Sequence, residues 1–153
     1  MSPSLCLAAA LTLLAAPAAM AQPQPQSQPQ QPAPEWLAGQ TNDGRQQFAR
    51  ISRPPHRLTY LCQRGGPDML MIEGLTGTPE TLRLTIDDRP LALRFTAHGP
   101  RRSAPAQLGS PLMRALFAGR TVTLSDESGM ARFSLEGAER AMRHAISRCL
   151  RRK

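Results

Sequence analysis

From residue 35 onward the apolar positions recur at two spacings, at first every second residue and later every third or fourth. A period of two marks half-buried strands, and a period near 3.6 marks helices with one buried stripe. Leu58, Tyr60 and Cys62 fall on one face of a strand, and residues 68–73 return after the Gly65-Gly66-Pro67 turn. A weaker strand covers 46–51 and is stopped by Pro54-Pro55. The clearest hairpin sets Leu82, Leu84 and Ile86 against Leu91, Leu93 and Phe95 across Asp87-Asp88-Arg89-Pro90, a run of turn-forming residues. Trp36 and Leu37 read as an early apolar anchor, and residues 98–107, rich in Pro, Arg and Ser, read as a loop.

Beyond that loop the pattern becomes helical. Ser110 is placed to cap a short helix whose apolar side is Leu112, Met113, Leu116 and Phe117, and Gly119 stops it. Residues 120–124 start a strand that turns through 126–129 into a closing one, with Ala131, Phe133 and Leu135 inward and Met130, Arg132 and Ser134 outward. The last element is an amphipathic helix. Ala138, Ala141, Met142, Ala145, Ile146, Cys149 and Leu150 form its apolar stripe. An isolated helix of this length is marginal in water, so the stripe must dock on the strands. The order β-β-β-β-β-α-β-β-α with hairpin-length connections predicts an α+β domain. It should be a small antiparallel sandwich or half-barrel, with a short helix and the C-terminal amphipathic helix packed on the sheet.

The N-terminal sequence changes the compartment. Residues 5–20 are apolar and uncharged, and Ala19-Met20-Ala21 precedes Gln22 as a small-x-small cleavage site. Residues 1–21 are therefore expected to be a signal peptide, too short to span a bilayer comfortably, with no transmembrane span left after its removal. Residues 22–34 are Pro/Gln-rich low-complexity sequence with nothing apolar to bury, an expected disordered linker. Residues 35–153 then make one domain. Cys6 leaves with the signal, so Cys62 and Cys149 remain; in an exported protein an even pair reads as one disulfide, with two buried free thiols as the alternative.

Charge narrows the partners. The formal net charge is +8, and Arg140, Arg143, Arg148, Arg151, Arg152 and Lys153 gather on one helix face and the tail. That cluster is the candidate basic binding surface. It suits acidic envelope proteins, anionic lipid or cell-wall polymer. Nucleic acid is not expected, because the few aromatics are not interleaved with arginines as stacking platforms. His56, His98 and His144 are far apart and have no paired cysteines, so no metal site is expected. Asp87-Asp88 reads as a turn former before it reads as a general acid or base. No GxSxG, phosphate-binding loop or dinucleotide glycine pattern occurs, so neither catalysis nor a cofactor is implied.

Three segments carry a family likeness: residues 84–88 (LTIDD), 112–122 (LMRALFAGRTV) and 133–138 (FSLEGA). Together they resemble the invasion-associated locus B family, small exported proteobacterial proteins. The ending FSLEGAERAMRHAISRC, with LTYLC upstream, is also similar to a periplasmic accessory protein of type VI secretion. Both resemblances imply a non-enzymatic envelope protein and transfer no site residues. The expected function is therefore a periplasmic or secreted binding or accessory protein using a basic surface. A non-specific membrane-surface or cell-wall binder is the second reading, and a small hydrolase the third.

Overall fold

The computed structural model describes residues 35–151, so the expected signal, the linker, Arg152 and Lys153 lie outside the described residues. In chain order the elements are β1 (Leu37–Gln40), β2 (Gln46–Arg53), β3 (His56–Gln63), β4 (Met69–Glu73), β5 (Arg83–Ile86), β6 (Arg89–Leu91), β7 (Thr96–His98) and β8 (Arg101–Pro105). They continue with α1 (Pro111–Ala118), β9 (Thr121–Asp126), β10 (Gly129–Ser134) and α2 (Ala138–Arg151). The strands form two antiparallel sheets, ordered β1-β2-β3-β4-β8-β7 and β10-β9-β5-β6. The α+β class with a C-terminal helix on the sheet is the architecture the periodicities predict.

Alternation decides which face of each strand is buried. Register places Ile51, Leu58 and Ile72 in one cross-strand row and Ala49, Tyr60, Leu70 and Ala104 in the next. All seven are essentially inaccessible to solvent. The α2 stripe of Ala138, Ala141, Met142, Ala145, Ile146 and Cys149 is buried too, and the helix packs on β1, β2 and β3. Three of those six residues are alanines, which lets the helix backbone approach the sheet closely. Leu84, Ile86, Val122, Leu124, Ala131 and Phe133 of the second sheet belong to the same core. A disulfide joins Cys62 on β3 to Cys149 on α2, with Cα atoms 6.2 Å apart and 87 residues of sequence separation.

Four local expectations are corrected. Leu150 does not share the buried stripe; it is 71% exposed, because it stands about 100° round the helix from Cys149. The strand expected through Phe95 pairs only at Arg89–Leu91, after which Phe95 tucks into the core outside any ladder. The segment read as a loop at 98–107 contains β8, which pairs with β4 and with β7. Its Arg-Arg-Ser-Ala-Pro sequence has no hydrophobic alternation, so only the open edge of β4 makes it a strand. Of the expected anchor pair, Trp36 is buried and its Nε1 donates to Ser134 O at 2.8 Å, whereas Leu37 is exposed and begins an edge strand, Leu37–Gln40, on β2.

Two turns hold the sheets in place. Asp87 and Asp88 both adopt positive φ, 48° and 63°, the geometry of a tight two-residue hairpin. The Asp87 carboxylate also accepts the backbone N–H groups of Arg120 at 3.1 Å and Thr121 at 2.9 Å. At the other end, the β9–β10 turn clamps the loop between β4 and β5. Thr76 N–H donates to Ser128 Oγ at 3.0 Å, Gly77 N–H to Asp126 Oδ2 at 2.9 Å, and Thr78 N–H to Glu127 Oε1 at 2.7 Å. The approach is close enough that a Cβ on Gly77 would lie 2.6 Å from the Asp126 carboxylate.

The Thr81 hydroxyl donates to Glu127 as well, and with the Thr78 N–H it lowers that carboxyl from 4.5 to about 2. A depressed carboxyl contributes stability above its unfolded value and loses it as pH falls through the folded one. The clamp should therefore weaken between pH ~4.5 and ~2. The protection factor of the Thr78 amide, its intrinsic exchange rate relative to the observed rate at each pH, is expected to fall across that window in the native chain. In Glu127→Gln it should be low and show no such step. An unchanged Thr78 profile in the variant would show that the Glu127 contact does not hold the loop.

Candidate anion-binding surface at the end of the C-terminal helix

The amphipathic period of α2 that buries its alanines turns Arg140, Arg143, His144, Arg148 and Arg151 to solvent. These arginines do not act alike. Arg143 donates to Glu139 at 2.8 Å one turn earlier, and its guanidinium lies 4.8 Å from the Phe117 ring centroid. It therefore tethers α2 to α1. Arg140, Arg148 and Arg151 form no ion pair among the described residues, and the last two also offset the partial negative charge at the helix C-terminus.

Arg148 and Arg151 border a groove of about 210 Å³ that is completed by Gln40 and Gln47. On the other side of Gln47 a second groove, about 180 Å³, is lined by Gly44, Arg45, Gln47, Arg64 and Cys149. The sequence-predicted cluster thus divides into a structural arginine, a free one at the N-terminal half, and a pair at the C-terminal end. Arg45 and Arg64 join that pair and were missed from sequence. They sit in the β1–β2 and β3–β4 connections, and the pairing of Gln46 with Gln63 brings both connections to the same end of the sheet. One signal was available: Arg64 lies two residues from Cys62 and Arg148 one from Cys149, so the disulfide already implied that they meet.

Gln47 is the unusual member. It lies on the inner face of β2 and is only 4% exposed. Its side-chain amide has no hydrogen-bond partner among the described residues, whereas neighbouring Gln40 donates to Gly44 O at 2.6 Å and Gln46 to Gln63 Oε1 at 2.9 Å. Asp43 is the nearby carboxylate. The Thr41 hydroxyl at 2.6 Å and the Arg45 backbone N–H at 3.1 Å satisfy it and, with a smaller contribution from the Arg45 charge, hold it below the usual carboxylate range.

Two other features hold groups capable of chemistry. A cavity of about 290 Å³ beside the disulfide is bordered by Asp68, Arg64, Ile146 and the exposed Leu108 and Leu150. Burial raises the Asp68 carboxyl against the opposing effect of the Tyr60 hydroxyl, which donates to it at 2.8 Å. Burial and then Asp68 push the Tyr60 phenol far up. Tyr60 does not reach the cavity, and its lining holds no serine or histidine, so the pair ties β3 to the turn before β4. On the outer sheet face, Glu73 pairs with Arg57 at 3.1 Å and Arg101 at 2.8 Å, which engages both arginines. Among the described residues no group of three or more His, Cys, Asp or Glu is placed to hold a metal ion, and no helix is long and apolar enough to cross a membrane. No protein-family model, curated protein or solved structure matches the chain.

Proposed function

We propose that this is a non-enzymatic, periplasmic or secreted binding or accessory protein whose basic C-terminal end engages an acidic envelope partner. The observation that carries this reading is the set of four arginines, Arg45, Arg64, Arg148 and Arg151, without ion-pair partners among the described residues around the end of α2. Arg57, Arg101 and Arg143 are engaged by carboxylates, whereas these four gather at two adjoining grooves at one end of the domain. The disulfide supports an oxidising compartment. The likeness to invasion-associated locus B and type VI accessory proteins agrees with an envelope role.

Combined reversal of Arg140, Arg148 and Arg151 to Glu should reduce retention of the mature protein on acidic envelope material at least tenfold while leaving thermal stability close to native. Retention unchanged by all three substitutions would sink the reading. A second reading, contact with anionic lipid or cell-wall polymer, is favoured by exposed Leu108 and Leu150 beside Arg64. It is distinguished by binding that ignores partner identity and falls steeply with salt.

A further inference from the structure

We propose that the two arginine grooves are one composite site for a ligand bearing two phosphate groups. One phosphate would lie between Arg148 and Arg151, the other between Arg45 and Arg64, with the Gln47 amide between them. This deepens the basic-end reading and rests on it.

Three observations lead to that chemistry. First, each groove presents a pair of arginines, and the grooves share Gln47 as a common wall. Second, Gln47 is only 4% exposed, makes no side-chain hydrogen bond among the described residues, and borders both grooves. An anion seated beside it would accept its N–H, and the grooves are where the amide meets solvent. Third, the charge count favours phosphate over carboxylate. Guanidinium forks prefer to grip two oxygens at once, and four forks outnumber the acceptors of one carboxylate. A phosphomonoester carries about −1.5 to −2 at neutral pH and three strong acceptor oxygens, so two phosphates match four arginines. The neighbouring carboxylate, Asp43, is turned to Thr41 and the Arg45 backbone and does not line either groove.

The same chemistry could come from a soluble diphosphate or from a glycolipid headgroup bearing two phosphates. The test uses the mature full-length chain, titrated with inorganic diphosphate, orthophosphate and succinate by calorimetry and by NMR of the Gln47 side-chain amide. Diphosphate is expected to bind at least tenfold more tightly than orthophosphate or succinate and to shift the Gln47 amide signals. Arg64→Ala and Arg148→Ala, both exposed and unpaired, should each weaken diphosphate at least fivefold, and Arg140→Ala should not. Stronger binding to vesicles carrying a bisphosphorylated glycolipid than to free diphosphate would assign the lipid source, and the reverse order the soluble one. Equal affinity for the three anions, an unmoved Gln47 amide, or Arg64→Ala indistinguishable from the native chain would each overturn the two-phosphate site. Loss of diphosphate discrimination with retained, Arg140-dependent binding to acidic envelope material would remove this inference alone and leave the basic-end reading standing.

Discussion

Replacing Cys62 and Cys149 together with serine is expected to lower the stability of the domain by about 4–5 kcal/mol, from the chain entropy released when so long a loop is opened. The bond closes a loop spanning 87 residues of separation, most of the folded unit. Against a typical net stability of about 5–15 kcal/mol, that share is large. For a domain of this size it corresponds to a fall in melting temperature of about 15–20 °C. Differential scanning calorimetry of the native, reduced and double-serine proteins measures it. A fall below about 5 °C would mean that core packing alone holds α2 and that the denatured chain gains little freedom. The variant also tests the site, because Cys149 anchors the turn that carries Arg148 and Arg151. Binding should weaken in the double-serine protein even at temperatures where it remains folded. Intact mass and thiol counts on the purified protein, with and without reductant, test whether the mature chain starts at Gln22 and whether Cys62 and Cys149 are oxidised.

The second large effect lies in the core beneath the helix. Leu58→Ala is expected to cost about 3–4 kcal/mol, within the range for emptying a fully buried leucine site. Leu58 is 0% exposed and sits in the row Ile51–Leu58–Ile72 on the sheet's inner face. Ile72 is held between β3 and β8, paired with Leu58 on one side and Arg102 on the other, which limits collapse of the space. Leu61→Ala, three residues along the same strand, should cost only about 1 kcal/mol, because Leu61 points to the opposite face and is half-buried. Urea unfolding of the two variants gives the comparison, and equal costs would mean that the outer face is packed as tightly as the inner.

Much of this was legible in the chain. The α2 stripe, the α1 cap and stop, the Asp87-Asp88 turn and the faces of β3 and β10 are dictated by short-range chemistry: period, capping, turn residues. The cysteine pairing was legible because, with Cys6 set aside in the expected signal, two cysteines have one simple arrangement. Elements lacking such signals were not. Nothing in Arg101–Pro105 marks a strand until β4 offers unpaired backbone groups, and Leu150 looked buried because a helical wheel has no knowledge of where the docking surface stops.

The candidate site shows the same division. The sequence by itself determined the composition of the surface: arginine on one face of the last helix and a tether from that helix to β3. Only the tertiary structure decided that Arg143 is committed to Glu139 and Phe117, and that Arg45 and Arg64 stand with Arg148 and Arg151 around a buried, unpartnered Gln47. Local periodicity sets which way a side chain points. Which side chains meet depends on the register of β2 against β3 and on where α2 lands on them, and those are properties of the whole packed chain.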